Sequence, residues 1–224
     1  MQYIISNQVI FKQRVIYMKI DYTLYLVTDS ELLKGRKLEM IVYQAVKGGV
    51  SLVQLREKKA GSLDFYMVAK KVKEVTDKFN VPLIINDRID IALSVDAAGV
   101  HIGQEDLPCK IARQILPKDK IIGVSVHNIE EALRAQEDGA DYLGCGAVFT
   151  TSTKSDVSNL TIDKLAEIKK AVNIPVVAIG GINKENVSSL RNTNIDGIAV
   201  VSAIVGNEDP KLAAENMKSL FTLI

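Results

Sequence analysis

From Leu24 onward, short apolar runs rich in β-branched residues alternate with longer stretches whose apolar positions repeat at helical spacing. The runs fall at residues 24–28, 51–55, 82–86, 99–102, 121–125, 142–144, 176–179 and 197–201. Between them, Val68, Val72, Val75 and Phe79 mark one helix face and Leu165, Ile168 and Val172 another. This alternation predicts βαβ units around a parallel sheet. Helix-start chemistry agrees, because Asn128 stands at capping-box spacing before Glu131 and Asp209 precedes Pro210 at a first helical position. Eight strands are more than a doubly wound open sheet usually needs. The expected fold is therefore α/β, a single-domain (β/α)8 TIM barrel at the short end of its size range.

Nearly every predicted strand ends in polar residues. Asp29 follows the first; Gln54, Arg56 and Lys58 the second; Asn86 and Asp87 the third; and Gly103-Gln104-Glu105-Asp106 the fourth. Ser125 ends the fifth, residues 146–154 follow the sixth, Gly180-Gly181 the seventh and Ser202 the eighth. In a barrel these ends converge on one mouth, where active sites sit.

The residue types at that mouth suit phosphate chemistry. Alternation along an extended segment turns Gln54, Arg56 and Lys58 to one side, with Leu55 and Glu57 to the other. Arg offers a planar fork to phosphate oxygens and Lys a mobile point charge, a pairing suited to pyrophosphate. Asp87 and Asp106 end neighbouring strands, where their carboxylates would repel unless a Mg2+ ion lay between them and the substrate phosphates. Glu105 is a weaker third candidate. Residues 144–154 combine small residues with the hydroxyls of Thr150, Thr151, Ser152 and Thr153 and end in Lys154, as an anion-binding lid would. The loops carrying Gly180-Gly181 and Val201-Ser202 follow strands seven and eight, a frequent site for phosphate. Each pattern alone also fits a solvated strand end, a turn or a cap.

Composition narrows the class. Lys and Arg number 28 against 27 Asp and Glu, so no basic field recruits nucleic acid or an anionic membrane. No apolar run approaches the ~18 residues of a membrane span. Cys109 and Cys145 form neither a CxxC pair nor a Cys/His cluster, and a soluble, cytoplasmic protein is expected. Cys145 lacks a paired base, and His101 and His127 read as hydrogen-bonded structural residues. Residues 1–20 form an N-terminal extension without the h-region of a signal peptide, and residues 21–224 the barrel.

Taken together, Gln54-x-Arg56-x-Lys58, Asn86-Asp87, Gly103-Gln104-Glu105-Asp106, Gly123-Val124-Ser125, Thr151-x-Thr153-Lys154, Gly180-Gly181 and Val201-Ser202 resemble the thiamine phosphate synthase family in order and spacing. The resemblance runs from Asp21 to the C-terminus and departs at Ala147 and Thr150, where the family usually has prolines. It implies that Gln54, Leu55, Arg56, Glu57, Lys58, Asn86 and Ser125 hold hydroxymethylpyrimidine pyrophosphate, with Lys154 reaching its pyrophosphate. It implies Mg2+ on Asp87 and Asp106, and hydroxyethylthiazole phosphate on Thr151, Ser152, Thr153, Gly181, Val201 and Ser202. The family reaction is a dissociative displacement in which Arg56, Lys58, Ser125 and Lys154 would carry the catalytic load. The implied partners are these two small molecules, and a homo-oligomer is left open.

Rival readings explain less. A thiazole tautomerase or regulatory homologue on the same barrel needs no Arg56, Lys58, Asp87 and Asp106 cluster. A sugar-phosphate isomerase would want a clear acid/base pair and leaves the two acidic loops unused. A non-enzymatic binding module would hold thiamine phosphate without turning over either precursor.

Overall fold

Residues 20–149 and 160–223 are described by a computed structural model. Eight parallel strands close into a barrel in chain order: β1 (Leu24–Val27), β2 (Leu52–Leu55), β3 (Leu83–Asn86), β4 (Gly99–Ile102), β5 (Ile121–Val126), β6 (Tyr142–Cys145), β7 (Val176–Ile179) and β8 (Gly197–Val200). Closure comes from β8 pairing with β1, Leu24 opposite Ile198 and Leu26 opposite Val200. The surrounding α-helices are α1 (Leu38–Lys47), α2 (Ser62–Lys78), α3 (Ile89–Ser94), α4 (Cys109–Ile115), α5 (Ile129–Glu137), α6 (Ile162–Ala171), α7 (Ser202–Val205) and α8 (Pro210–Thr222).

Strand alternation divides the buried residues into two layers. Leu24, Leu26, Val53, Leu55, Ile85 and Val100, with their counterparts on later strands, pack outward against the helices. Tyr25, Val27, Leu52, Ile84, Tyr142, Val177 and Ala199 fill the barrel interior. A strand covered on both faces must be apolar nearly throughout, which is why these strands read as continuous apolar runs. Each fully buried Leu or Ile contributes roughly 1.5–3 kcal/mol.

Helix ends follow their sequence signals. Asn128 accepts from Glu131 N at 2.8 Å while Glu131 Oε2 accepts from His127 N, and Asp209 accepts from Leu212 N ahead of Pro210. On α2 the deepest positions are Phe65, Ala69, Val72 and Thr76, with Val68 and Val75 at the margin of the buried stripe. The buried stripe shares Val72 with the predicted face and is centred slightly to one side of it, with Phe79 also packed at its edge.

The β7–β8 connection departs from the repeat, its helical segment being a short 3₁₀ turn, Val187–Leu190. Its residues favour side chain to backbone bonds over helix. Asn186 Oδ1 accepts from Asn183 N, Asn183 Oδ1 accepts from Glu185 N, and Asn192 and Asn194 sit in left-handed conformations. No helix among the described residues is long and apolar enough to cross a membrane.

Candidate active site

At the C-terminal ends of the strands the interior opens into a cavity of about 1080 Å³, counted to its open mouth. Among the described residues its wall is two-sided. From β1 to β5 come Asp29, Gln54, Arg56, Asn86, His101 and Ser125; from β6 to β8 come Gly144, Gly146, Ala147, Gly180, Gly181 and Ala199. One side is polar and cationic, and the other is small enough to leave room.

The cationic side is organised by the loop after β2. Thr28 Oγ1, fully buried at the end of β1, accepts from Arg56 N at 3.0 Å and fixes where that loop leaves the barrel. Arg56 then enters the cavity wall, with Nη1 3.9 Å from Asp29 Oδ2. Lys58 stands further out at the rim, its side chain 56% exposed and its Nζ 3.8 Å from Asp87 Oδ2. Ion pairs this long hold weakly, and the Lys58 pair is also open to solvent. Both cations can therefore transfer to a better anion with little loss.

Leu55 and Glu57 point elsewhere, as alternation requires. Leu55 is fully buried in the outer layer beneath the helices, so only its backbone faces the loop. Glu57 turns toward Ser30, and burial pushes its carboxyl up.

Asp87 lies at the end of β3 in a left-handed conformation, φ 62°. Arg88 N donates to Asn86 O at 2.7 Å around it, making a three-residue γ-turn, and Asp87 N donates to His101 O at 2.9 Å on β4. These bonds hold its carboxyl against that of Asp106. Asp106 is itself fixed by accepting from Gly103 N at 2.7 Å. Burial, with the neighbouring Asp106 next, pushes Asp87 up to about 6 despite Lys58 and Arg56. Among the described residues no third Asp, Glu, His or Cys joins them, so Glu105 takes no part in a three-ligand cluster.

The loops after β7 and β8 meet at the opposite wall. Gly180 (φ 103°) and Gly181 (φ 63°) make a turn that L side chains resist. A Cβ on Gly180 would lie 2.5 Å from Ala147 Cα, so glycine is what lets the β7 loop close on the β6 loop, where Phe149 N donates to Gly180 O. Asn186 Nδ2 anchors Gly181 O at 2.9 Å. Val201 and Ser202 lead into α7, where Ile204 N and Val205 N donate to Val201 O and the N–H groups of Ser202 and Ala203 precede these bonds.

Gln54, Arg56, Asn86, Ser125, Gly181, Val201 and Ser202 thus line one cavity, with Lys58, Asp87 and Asp106 beside it. Thr151, Ser152, Thr153 and Lys154 lie outside the described residues, as do residues 1–19. Cys145 is buried away from the cavity wall, and its thiol is pushed up to about 12. Sequence reasoning missed Tyr25 and Tyr142, which carry hydroxyls inside the barrel. A tyrosine at an inward position of a core strand is the one available signal, since a buried phenol needs a partner.

The sequence pattern described as thiamine monophosphate synthase matches residues 24–204. The chain is 59% identical over 202 residues to the thiamine-phosphate synthase of Clostridium tetani, covering 90% of this chain and 97% of that protein. It is 58% identical over 203 residues to the thiamine-phosphate synthase of Ruminiclostridium cellulolyticum, covering 91% and 97%. Among solved structures, the thiamine phosphate pyrophosphorylase of Pyrococcus furiosus superposes with a TM-score of 0.84 at 40% identity, over 91% of this chain and 97% of that one.

Proposed function

The chain belongs to the thiamine monophosphate synthase family, and from that premise we propose how the two walls of its cavity divide the joining of hydroxymethylpyrimidine pyrophosphate to hydroxyethylthiazole phosphate. The product is thiamine phosphate and the chain is a transferase. One observation carries the division: Gln54, Arg56, Asn86 and Ser125 share the β2–β5 side of the cavity, while Gly181, Val201 and Ser202 share the β7–β8 side. The first set takes the pyrimidine pyrophosphate and the second the thiazole phosphate.

The donor set fits magnesium. Two carboxylates are held side by side, one of them raised by burial and then by its neighbour, and Mg2+ typically takes one or two carboxylates, waters and substrate phosphates. Bound by Asp87 and Asp106, the ion would neutralise charge on the departing pyrophosphate. Arg56 and Lys58 exchange their loose pairs with Asp29 and Asp87 for pyrophosphate oxygens, and so stabilise the leaving group as its charge develops. Gln54, Asn86 and Ser125 orient the pyrimidine.

The bond between the pyrimidine methylene and the pyrophosphate oxygen breaks, and its electron pair leaves with pyrophosphate. The ring spreads the resulting positive charge, and the thiazole nitrogen lone pair forms the new C–N bond. No proton is lost in this step, so it calls for no general base. Gly181 and the start of α7 offer N–H groups to the phosphate of the thiazole. Thr151, Ser152 and Thr153 at that phosphate, and Lys154 at the pyrophosphate, enter the proposal through their sequence motif. Residues 21–224 act as the catalytic domain. Both cysteines are free and buried, in keeping with a reducing cytoplasm.

Asp87→Ala tests the division. It should abolish Mg2+-dependent turnover while an equilibrium titration still finds thiazole phosphate bound. Loss of both in a folded variant contradicts it.

A further inference from the structure

Five polar side chains run through the barrel interior as one row. Gln54 Nε2 lies 2.7 Å from Tyr25 Oη, and Tyr25 Oη 2.8 Å from Tyr142 Oη. Tyr142 Oη lies 3.0 Å from His101 Nδ1, and His101 Nε2 2.9 Å from Ser125 Oγ. The row crosses from β2 through β1, β6 and β4 to β5; its ends, Gln54 and Ser125, line the cavity, as do Tyr25 and His101, while Tyr142 lies behind the wall.

The surrounding glycines make the row fit. A Cβ on Gly123 would overlap the Tyr142 ring and fall 2.5 Å from His101 Nδ1, and one on Gly144 would lie 3.0 Å from His101 Cε1. Two strands thus give up side chains where the ring of His101 meets the phenol of Tyr142.

Burial pushes both tyrosine hydroxyls well above their ordinary range, so each keeps its single proton. A hydroxyl with one proton that accepts on one side must donate on the other. The orientation of Gln54 therefore sets every bond after it. Gln54 Nε2 donates to Tyr25, Tyr25 donates to Tyr142, and Tyr142 donates to His101 Nδ1. Continued through His101, that direction would place the ring proton on Nε2, donated to Ser125 Oγ, and leave the Ser125 proton for the cavity. Turning the Gln54 amide over would reverse every link.

We propose that Tyr25, Tyr142 and His101 are positioning residues that lock Gln54 and Ser125 into opposite polarity, an acceptor and a donor, so that the cavity selects a pyrimidine edge bearing an amino group beside a ring nitrogen. The inference rests on the pyrimidine reading of the β2–β5 wall given above. It adds that substrate choice is enforced through the three side chains that fix the polarity of those two contacts. A break anywhere in the row lets its halves reverse independently. Discrimination between an amino and an oxo edge then falls, because the oxo edge presents the reversed pattern of acceptor and N–H donor.

Two measurements test this. In 15N-histidine spectra of the free protein, with His101 and His127 the only histidines and His127→Gln used for assignment, His101 should be neutral and protonated on Nε2. A ring protonated on Nδ1, or on both nitrogens, overturns the proposal. In kinetics, wild type should prefer the aminopyrimidine pyrophosphate over its oxo analogue by about 100-fold or more in kcat/KM, and Tyr142→Phe should lose most of that ratio with KM for thiazole phosphate unchanged. Tyr25→Phe breaks a different link and should give the same result if Tyr142→Phe fails to fold. Equal loss on both analogues, with the ratio preserved, marks the row as merely structural and overturns the proposal. If wild type makes no thiamine phosphate, the functional reading fails instead, while the tautomer still reports on the row.

Discussion

Asp87 carries two costs at one position. Its left-handed backbone is unfavourable by about 1 kcal/mol for a residue with a side chain, and its carboxyl is held against Asp106. The unfolded chain releases the proton near the ordinary ~3.9, the folded one near about 6. Between these values the native state binds more protons than the unfolded state, so in the metal-free protein this group lowers stability as pH rises through that window. Asp87→Asn has no such titration and keeps a residue type that tolerates the turn. In chelator its melting temperature should exceed that of wild type at pH 7, by an amount worth no more than about 2 kcal/mol after solvent screening, and match it near pH 4. A difference of the opposite sign at pH 7 would show that Asp87 is stabilising. The acidic pair was legible in the sequence because Asn86-Asp87 and Gly103-Gln104-Glu105-Asp106 both follow strands. The left-handed turn was not, since nothing local marks it as glycine would. His101 was legible as a hydrogen-bonded residue, but Tyr25 and Tyr142 stayed hidden because inward residues of a doubly buried strand look like core until their partners across the barrel are known.

The elements themselves were the most legible part. All eight strands stand within a residue or two of their apolar runs, because a strand covered on both faces is apolar over most of its length. The capping box at Asn128 and the Asp209-Pro210 start both formed. The missing long helix between β7 and β8 was less visible: an Asn- and Ser-rich segment still has room for a helix, and only the competing side chain to backbone bonds decide against it. That connection matters for function because it begins at Gly180-Gly181. Gly180→Ala sets a methyl against Ala147 at a positive φ, so the β6 and β7 loops must separate. Thiazole phosphate should bind at least tenfold more weakly, a loss of about 1.4 kcal/mol, while pyrimidine pyrophosphate binding is unaffected. Equal weakening of both ligands would mean that the two walls are not independent.

At the scale of the whole molecule, a formal charge of only +1 means that attraction for two phosphorylated substrates must be local. Barrel closure supplies that locality by bringing the loop after β2, with its cations, to the same mouth as the acidic pair after β3 and β4 and the glycine and serine loops after β7 and β8. Chain-distant residues such as Arg56 and Ser202 then share one cavity. The low overall charge also explains why the motifs, rather than composition, carried the functional signal. The most direct measurement is the yield of thiamine phosphate and pyrophosphate from the two precursors, for wild type and Arg56→Ala, with Mg2+ and with chelator. Wild type should form both products in equal amounts with Mg2+ and none with chelator, and Arg56→Ala should turn over about 100-fold more slowly or worse. Undiminished product in chelator, or an Arg56→Ala enzyme as fast as wild type, would contradict the account of the pyrophosphate clamp. A folded wild type that yields no product with Mg2+ would contradict the function itself.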